Sequence, residues 1–245
     1  MSAPVILITG GSRGIGAGTA KLAARKGYDV ALSYVRDQQG AENVAAEIRA
    51  TGRRAAAIRA DVGVEADIVK LFAEVDAQLG TLDVLVVNSG VNGKPYRLAE
   101  APAAQIREVI DVNVTGAMLC AREGVRRMST RNGGKGGSIV LVSSRVVDYG
   151  APGEFVWYAA SKAAINAFCL GLAREVGREG IRVNAVSPGP IDTEMLDAGR
   201  RAAVKEVVPL ARIGTPEEVG EAILFLASPA ASYCTGANLA VSGGR

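Results

Sequence analysis

Tyr158 and Lys162 stand four residues apart, a spacing that puts both on one face of a helix. A phenol is a poor base near neutral pH, with a reference pKa of about 10. An ammonium beside it favours the phenolate, which suits the pair to moving a proton to or from a substrate oxygen. Taken alone, the pair has a plainer reading as a surface helix contact. It gains weight because the 245-residue chain contains no histidine. That excludes a Ser-His-Asp triad, a Cys-His pair and any metal site built on imidazole. Acid–base work must then fall to a perturbed Tyr, Lys, Asp or Glu. Cys120, Cys169 and Cys234 lie far apart without metal-ligand spacing. They read as free thiols of a reducing compartment, and no metal is expected.

A second group of residues suits an anion. Thr9-Gly10-Gly11-Ser12-Arg13-Gly14-Ile15-Gly16 follows a short aliphatic run and opens an amphipathic one. At such a strand-to-helix junction, backbone N–H groups at a helix N-terminus receive a dinucleotide pyrophosphate. Glycine lets the backbone approach the phosphates with no Cβ in the way. The spacing is not G-x-G-x-x-G, and a glycine-rich turn can be purely structural. Charge then speaks to the choice of cofactor. The second aliphatic run ends Ser33-Tyr34-Val35-Arg36, with no acid before Asp37. A carboxylate there would hold a ribose 2′-hydroxyl and repel a 2′-phosphate. Arg13 and Arg36 could together bind that phosphate, or could be solvated surface arginines. The missing carboxylate favours NADP(H) over NAD(H), with NAD(H) still possible.

The elements that must position these groups are legible in outline. Pro4–Thr9, Asp29–Ser33, Ala55–Ala60, Leu82–Val87, Ser138–Ser143, Arg182–Ser187 and Asn238–Val241 read as seven strands. Most are continuously apolar, as parallel strands covered on both faces are. Between them Gly14–Lys26, Gln39–Thr51, Glu65–Leu79, Pro102–Met128, Trp157–Gly177 and Thr215–Ser228 read as helices. This alternation predicts an α/β fold: one doubly wound, Rossmann-type domain over residues 1–245, with a seven-stranded parallel sheet and helices on both faces. Hydrophobic residues make up 49% of the chain but aromatics only 4%, so aliphatic side chains must fill the core. The stretch from Ala163 to Ala173 carries no charge. A helix apolar all round needs cover on both sides. A third layer of the same chain would serve, but no spare element is evident, so a subunit interface is expected.

The motifs in this order resemble the short-chain dehydrogenase/reductase family. Its pattern has T-G-x-x-x-G-x-G after strand one, N-N-A-G after strand four, a mid-helix Asn, a Ser after strand five and Y-x-x-x-K. The chain shows Thr9–Gly16, Val87-Asn88-Ser89-Gly90, Asn113, Ser143-Ser144 and Tyr158/Lys162. Asp61-Val62, Pro188-Gly189 with Ile191 and Thr193, and the ending Val241-Ser242-Gly243-Gly244-Arg245 extend the similarity. By that resemblance Tyr158 would be the general acid/base, and Lys162 would lower the Tyr158 pKa and hold the nicotinamide ribose. Ser144 would hydrogen-bond the substrate oxygen, and Asn113 would hold a water linking Lys162 to solvent. Asp61 and Val62 would flank the adenine, and Asn88, Ser89 and Gly90 would line the cofactor. Pro188, Gly189, Ile191 and Thr193 would lie at the nicotinamide. Three departures stand out. Val87 and Ser89 replace the first Asn and the Ala of N-N-A-G, and Ser242 replaces an Asp. Ser144 precedes Tyr158 by fourteen residues, one more than the family's usual spacing, which leaves Ser143 or Ser144 open; Ser144 is chosen.

The resemblance implies an NAD(P)-dependent oxidoreductase acting on a carbonyl or secondary alcohol, a 3-oxoacyl-type reductase being the leading specific reading. A sugar or polyol dehydrogenase is the alternative within the family. Enoyl reductases place Tyr and Lys further apart, and epimerases add a longer substrate domain. A non-catalytic NADPH sensor would have no use for the full Ser, Tyr, Lys and Asn set. The substrate pocket is expected between Arg145–Trp157, Asn92–Arg97 and a lid at about 190–212, with Trp157, Met195, Leu196, Glu154, Arg145 and Arg97 on its walls. The family implies a homotetramer pairing the Pro102–Met128 and Trp157–Gly177 helices. A net charge of +3 with no basic block argues against nucleic acid or a membrane surface. No signal peptide or stretch of transmembrane length is evident, so a cytoplasmic protein is expected.

Overall fold

The computed structural model describes residues 3–194, 196, 199, 204 and 206–245. Met195 and Arg201 of the expected lid lie outside the described residues. Seven parallel strands form one sheet: β1 (Val5–Ile8), β2 (Asp29–Tyr34), β3 (Ala55–Arg59), β4 (Val84–Val87), β5 (Gly137–Val142), β6 (Ile181–Pro188) and β7 (Asn238–Val241), in the order β3-β2-β1-β4-β5-β6-β7. The chain winds outward from β1 one way and from β4 the other. The crevice between the C-terminal ends of β1 and β4 is therefore the topological switch point, where doubly wound sheets bind ligands.

The central strands are VILI and VLVV, buried at every position. On one face they meet α1 (Gly14–Arg25), α2 (Gln38–Ala50) and α8 (Pro216–Ala227); on the other, α3 (Glu65–Gln78), α5 (Ala117–Met128) and α7 (Val156–Val176). Phe72 is the one aromatic among the largest fully buried side chains; Ile, Leu and Val fill most of the rest, as the composition requires. Asp37 starts α2 by accepting from the Gly40 N–H at 2.9 Å. Thr215 and Glu218 close a capping box on α8.

Two expectations need correction. The helix foreseen over Pro102–Met128 is α4 (Ala103–Ile110), a π-helical segment at Asp111–Gly116, and α5. Gly116 explains part of this: a Cβ there would lie 2.2 Å from the Val62 carbonyl oxygen. The backbone is drawn against the loop after β3, and such wide turns recur at functional sites. Second, one stretch does reach transmembrane length. Val156–Glu179 spans 24 residues at a mean hydropathy of 1.2. In this fold it packs along the sheet against β6.

Candidate active site

The glycine loop is held from both sides. Gly10 N–H donates to Ser33 Oγ at 3.1 Å and Gly11 N–H to the Ser33 carbonyl at 2.8 Å. Thr9, fully buried, accepts on its hydroxyl from the N–H groups of Asn88 and Ser89, both at 3.0 Å. The Asn88 amide donates back to the carbonyls of Thr9 and Gly10 at 2.9 and 3.0 Å. Asn88, expected to line the cofactor, thus clamps the loop that would bind it. Gly10 and Gly14 take φ of +67° and +54°, the left-handed region that glycine enters without strain. A Cβ on Gly16 would lie 2.2 Å from the Gly10 carbonyl oxygen.

This folding leaves the start of α1 facing the switch point. Arg13 is its N-cap and gives it no side-chain cap, so the first-turn N–H groups, including those of Gly14, Ile15 and Gly16, keep the unmet donor capacity of a helix N-terminus. With the positive end of the helix dipole they form a donor set that fits a pyrophosphate. Ser12 is partly buried beside them. Beyond the loop, Tyr34 is buried at the end of β2 and Arg36 is exposed. Asp37, the first acid after β2, accepts from Gly40 N–H as the α2 cap. Asp61 accepts from Gly63 N–H at 2.9 Å, and Val62 is buried.

The catalytic candidates converge at the far end of the same crevice. Lys162 is buried on α7 and donates to the Val142 carbonyl at 2.8 Å. An ammonium has three donors, so this bond leaves capacity for ligand hydroxyls. Gly90 makes room for it: a Cβ there would lie 3.4 Å from Lys162 Nζ and 3.3 Å from Asn113 Oδ1. Lys162 Nζ is 5.8 Å from the centroid of the Tyr158 ring. Burial pushes the lysine down to about 8 and the phenol up to about 12; contact with the Ser144 hydroxyl pulls the phenol the other way, and nearby Tyr149 adds to the rise. The expectation that the ammonium lowers Tyr158 is not met in the protein alone: the phenol is raised, burial is the largest cause, and Lys162 is not among the groups that shift it. The protein alone holds Tyr158 as the neutral acid.

The two serines separate cleanly. Ser143 Oγ donates to the Lys162 carbonyl at 3.0 Å in the interior, whereas Ser144 meets the Tyr158 phenol and accepts from Val146 N–H at 3.1 Å. Between Ser144 and Tyr158 run α6 (Val146–Tyr149) and a left-handed pair, Gly150 at φ +73° and Ala151 at +45°. Ala151 is a strained position for a residue with a Cβ.

Asn113 sits in the π segment with both amide donors engaged, to the Val91 carbonyl at 2.8 Å and Ser161 Oγ at 3.0 Å; its Oδ1 accepts from Val91 N–H at 2.8 Å. Ser161 in turn donates to the Tyr158 carbonyl at 2.8 Å. The side chain thus ties the loop after β4 to α7.

Farther out, Pro188 ends β6 and its carbonyl accepts from Arg145 N–H at 2.9 Å. Gly189 N–H donates to the Val241 carbonyl. Ile191 is buried and bridges to Gly214, and a Cβ on Gly14 would meet Thr193 Cγ2 at 3.2 Å. Trp157, expected on a pocket wall, is buried with Nε1 donating to the Asn92 carbonyl at 2.9 Å. Arg13 pairs with Glu194 at 2.9 Å. The sequence reading gave no separate role to Thr9, Ser33, Ser161, Tyr149 or Glu194. Thr9 and Ser161 lay inside the motifs, but their hydroxyl contacts depend on chain segments far apart in sequence. Cys120 and Cys169 are pushed up to about 12 and 11 by burial, so their thiols are poor nucleophiles.

A helix N-terminus at the switch point beside a Ser-Tyr-Lys cluster whose lysine is buried defines a dinucleotide-dependent α/β oxidoreductase. The comparisons specify the family. A family model described as enoyl-(acyl carrier protein) reductase matches residues 10–245. The uncharacterized oxidoreductase YgfF of Escherichia coli (strain K12) is 44% identical, over 98% of this chain and 99% of its own. Cis-4-hydroxycyclohexanecarboxylate dehydrogenase of Sinomonas cyclohexanicum is 41% identical, over 98% and 95%. The 3-oxoacyl-[acyl-carrier-protein] reductase of Synechocystis sp. is 37% identical, over 100% and 97%. Among solved structures, a short chain dehydrogenase from Burkholderia cenocepacia J2315 in complex with NADP superposes at TM-score 0.93 with 33% identity, covering 99% of this chain and 98% of that one. A 3-ketoacyl-(acyl-carrier-protein) reductase from Brucella melitensis complexed with NADH gives TM-score 0.92 with 34% identity, covering 100% and 98%. The chain belongs to the short-chain dehydrogenase/reductase family and is an oxidoreductase.

Proposed function

We propose that the enzyme is an NADPH-preferring reductase of a ketone, with a 3-oxoacyl compound as substrate class. The observation that carries this reading is the contact of Ser144 with a neutral Tyr158 phenol, beside the buried Lys162. Nicotinamide, when bound, supplies the hydride. Tyr158 gives its phenolic proton to the carbonyl oxygen, and Ser144 donates a hydrogen bond to the same oxygen. Lys162 holds the ribose hydroxyls. Asn113 acts through Val91 and Ser161 to position the start of α7. Asp61, Val62, Ser89, Gly90, Pro188, Gly189, Ile191 and Thr193 are assigned to the walls of the cofactor cleft.

NADPH is favoured because Arg13 and Arg36 are both exposed and β2 ends with no acid before Asp37. A structure with NADP and one with NADH among the relatives keep NADH open as a second cofactor. The four-residue Tyr158–Lys162 spacing favours a ketone over an enoyl double bond. The 3-oxoacyl reductases among the relatives support the substrate class, and the hydroxy-acid dehydrogenase makes a cyclic secondary alcohol the second reading. We also propose a tetramer, built across α5 and α7.

The test is a panel of 3-oxoacyl thioesters, cyclic ketones and sugars, followed at the nicotinamide absorbance with each cofactor. The 3-oxoacyl thioesters should give the highest kcat/KM, with NADPH better than NADH by at least about tenfold. A higher kcat/KM for a sugar, or equal use of both cofactors, would overturn the corresponding half of the reading.

A further inference from the structure

Arg13 is claimed from two directions. Its Nη1 lies 2.9 Å from Glu194 Oε2, joining the glycine loop to the chain after Thr193 across 181 residues of sequence. Both side chains are open to solvent, 65% and 72% exposed. The two segments also approach at Gly14, where a Cβ would meet Thr193 Cγ2 at 3.2 Å. Glu194 therefore stands beside the cleft proposed for the cofactor, with its charge matched by the arginine assigned to the 2′-phosphate. Arg36, the second arginine of that pair, is exposed and makes no ion pair among the described residues.

One guanidinium cannot serve both anions without bringing the carboxylate and the phosphate, which repel each other, to the same group. We propose that Glu194 sets the margin of cofactor selectivity: a 2′-phosphate must draw Arg13 away from Glu194, whereas a cofactor with a plain 2′-hydroxyl leaves the pair intact. NADPH binding is then weakened by the strength of the ion pair, whereas NADH binding is not. The contribution belongs to one cofactor and not the other, because adenosine and nicotinamide are common to both. Exposed ion pairs of this kind change an equilibrium by about 1.4- to 5-fold.

This inference rests on the proposed role of Arg13, and the two are separable by experiment. The wild type, Glu194→Gln, Arg13→Ala and the double variant are titrated with NADPH and with NADH by calorimetry, without substrate and at low ionic strength. Each protein then gives a ratio Kd(NADH)/Kd(NADPH). Glu194→Gln should raise that ratio about two- to fivefold, and the same substitution on the Arg13→Ala background should leave it unchanged. Arg13→Ala alone should lower it. An unchanged ratio in Glu194→Gln, or an equal rise without Arg13, would overturn the role of Glu194 while leaving Arg13 in place. If Arg13→Ala leaves the ratio unchanged, Arg13 is not a phosphate ligand and both readings fall.

Discussion

Lys162 illustrates how a functional residue can work against its own fold. Out of reach of solvent, its ammonium is pushed down by burial to about 8 from 10.5, a cost near neutral pH of about 3 kcal/mol. The sign follows from proton counts. Between about pH 8 and 10.5 the unfolded chain keeps a proton on this lysine that the folded chain has lost, so stability from this group rises with pH across that window. Lys162→Met keeps the stem and removes the charge, at the expense of leaving the Val142 carbonyl unbonded. In denaturant melts of the cofactor-free protein it should not lower stability at pH 7, and its advantage over wild type should shrink at pH 9. NADPH affinity should fall in the variant. A clear loss of stability at pH 7 would show that the ammonium is not a burdened group. The residue types for this chemistry were legible in the sequence, since a chain without histidine leaves few alternatives. The direction in which burial moves Tyr158 was not, because desolvation depends on neighbours that only the fold supplies. Ser144 and Ser143 differ in the same way: adjacent in sequence, they point to Tyr158 and to the helix backbone respectively.

The strands were readable from their continuous apolar runs, and the ends differ from the expected ranges by one or two residues. Asp37 and Thr215 are recognisable cap residues that mark where α2 and α8 begin. The π segment at Asp111–Gly116 was not readable, because apolar periodicity does not register one extra residue in a turn and the close approach of Gly116 to Val62 is a tertiary contact. The uncharged stretch of α7 raised a question that one chain leaves unanswered. Ala163, Ala167, Leu170 and Gly171 lie exposed along it. A second copy packed across this helix would cover the apolar stripe. The exposed stripe argues only against a lone chain; if the proposed tetramer forms, light scattering at micromolar concentration should return about four times the 25.2 kDa chain mass, and Ala167→Glu, placing a charge on the stripe, should reduce it. A wild-type mass near that of one chain would refute the assembly.

At the scale of the whole molecule, the order β3-β2-β1-β4-β5-β6-β7 brings residues from opposite ends of the chain to one crevice. Thr9 and Asn88 lie 79 residues apart and share two hydrogen bonds; Arg13 and Glu194 meet across 181. This convergence explains why a sequence with a glycine loop, an isolated Asn and a Tyr/Lys pair can be read as one site once the sheet topology is known. It also explains what sequence alone could not show, namely which polar groups clamp the loops and which remain available to a ligand. The account's central claim is that the phenol of Tyr158 delivers the proton, and Tyr158→Phe tests it most directly. That change keeps the ring and removes only the hydroxyl. Steady-state turnover with the best substrate from the panel should lose about 10²–10⁴ in kcat, while NADPH binding measured by calorimetry stays within about twofold, a difference of only ~0.4 kcal/mol. Near-full turnover by Tyr158→Phe, with the cofactor bound normally, would mean that the proton comes from another group and that the site has been misread.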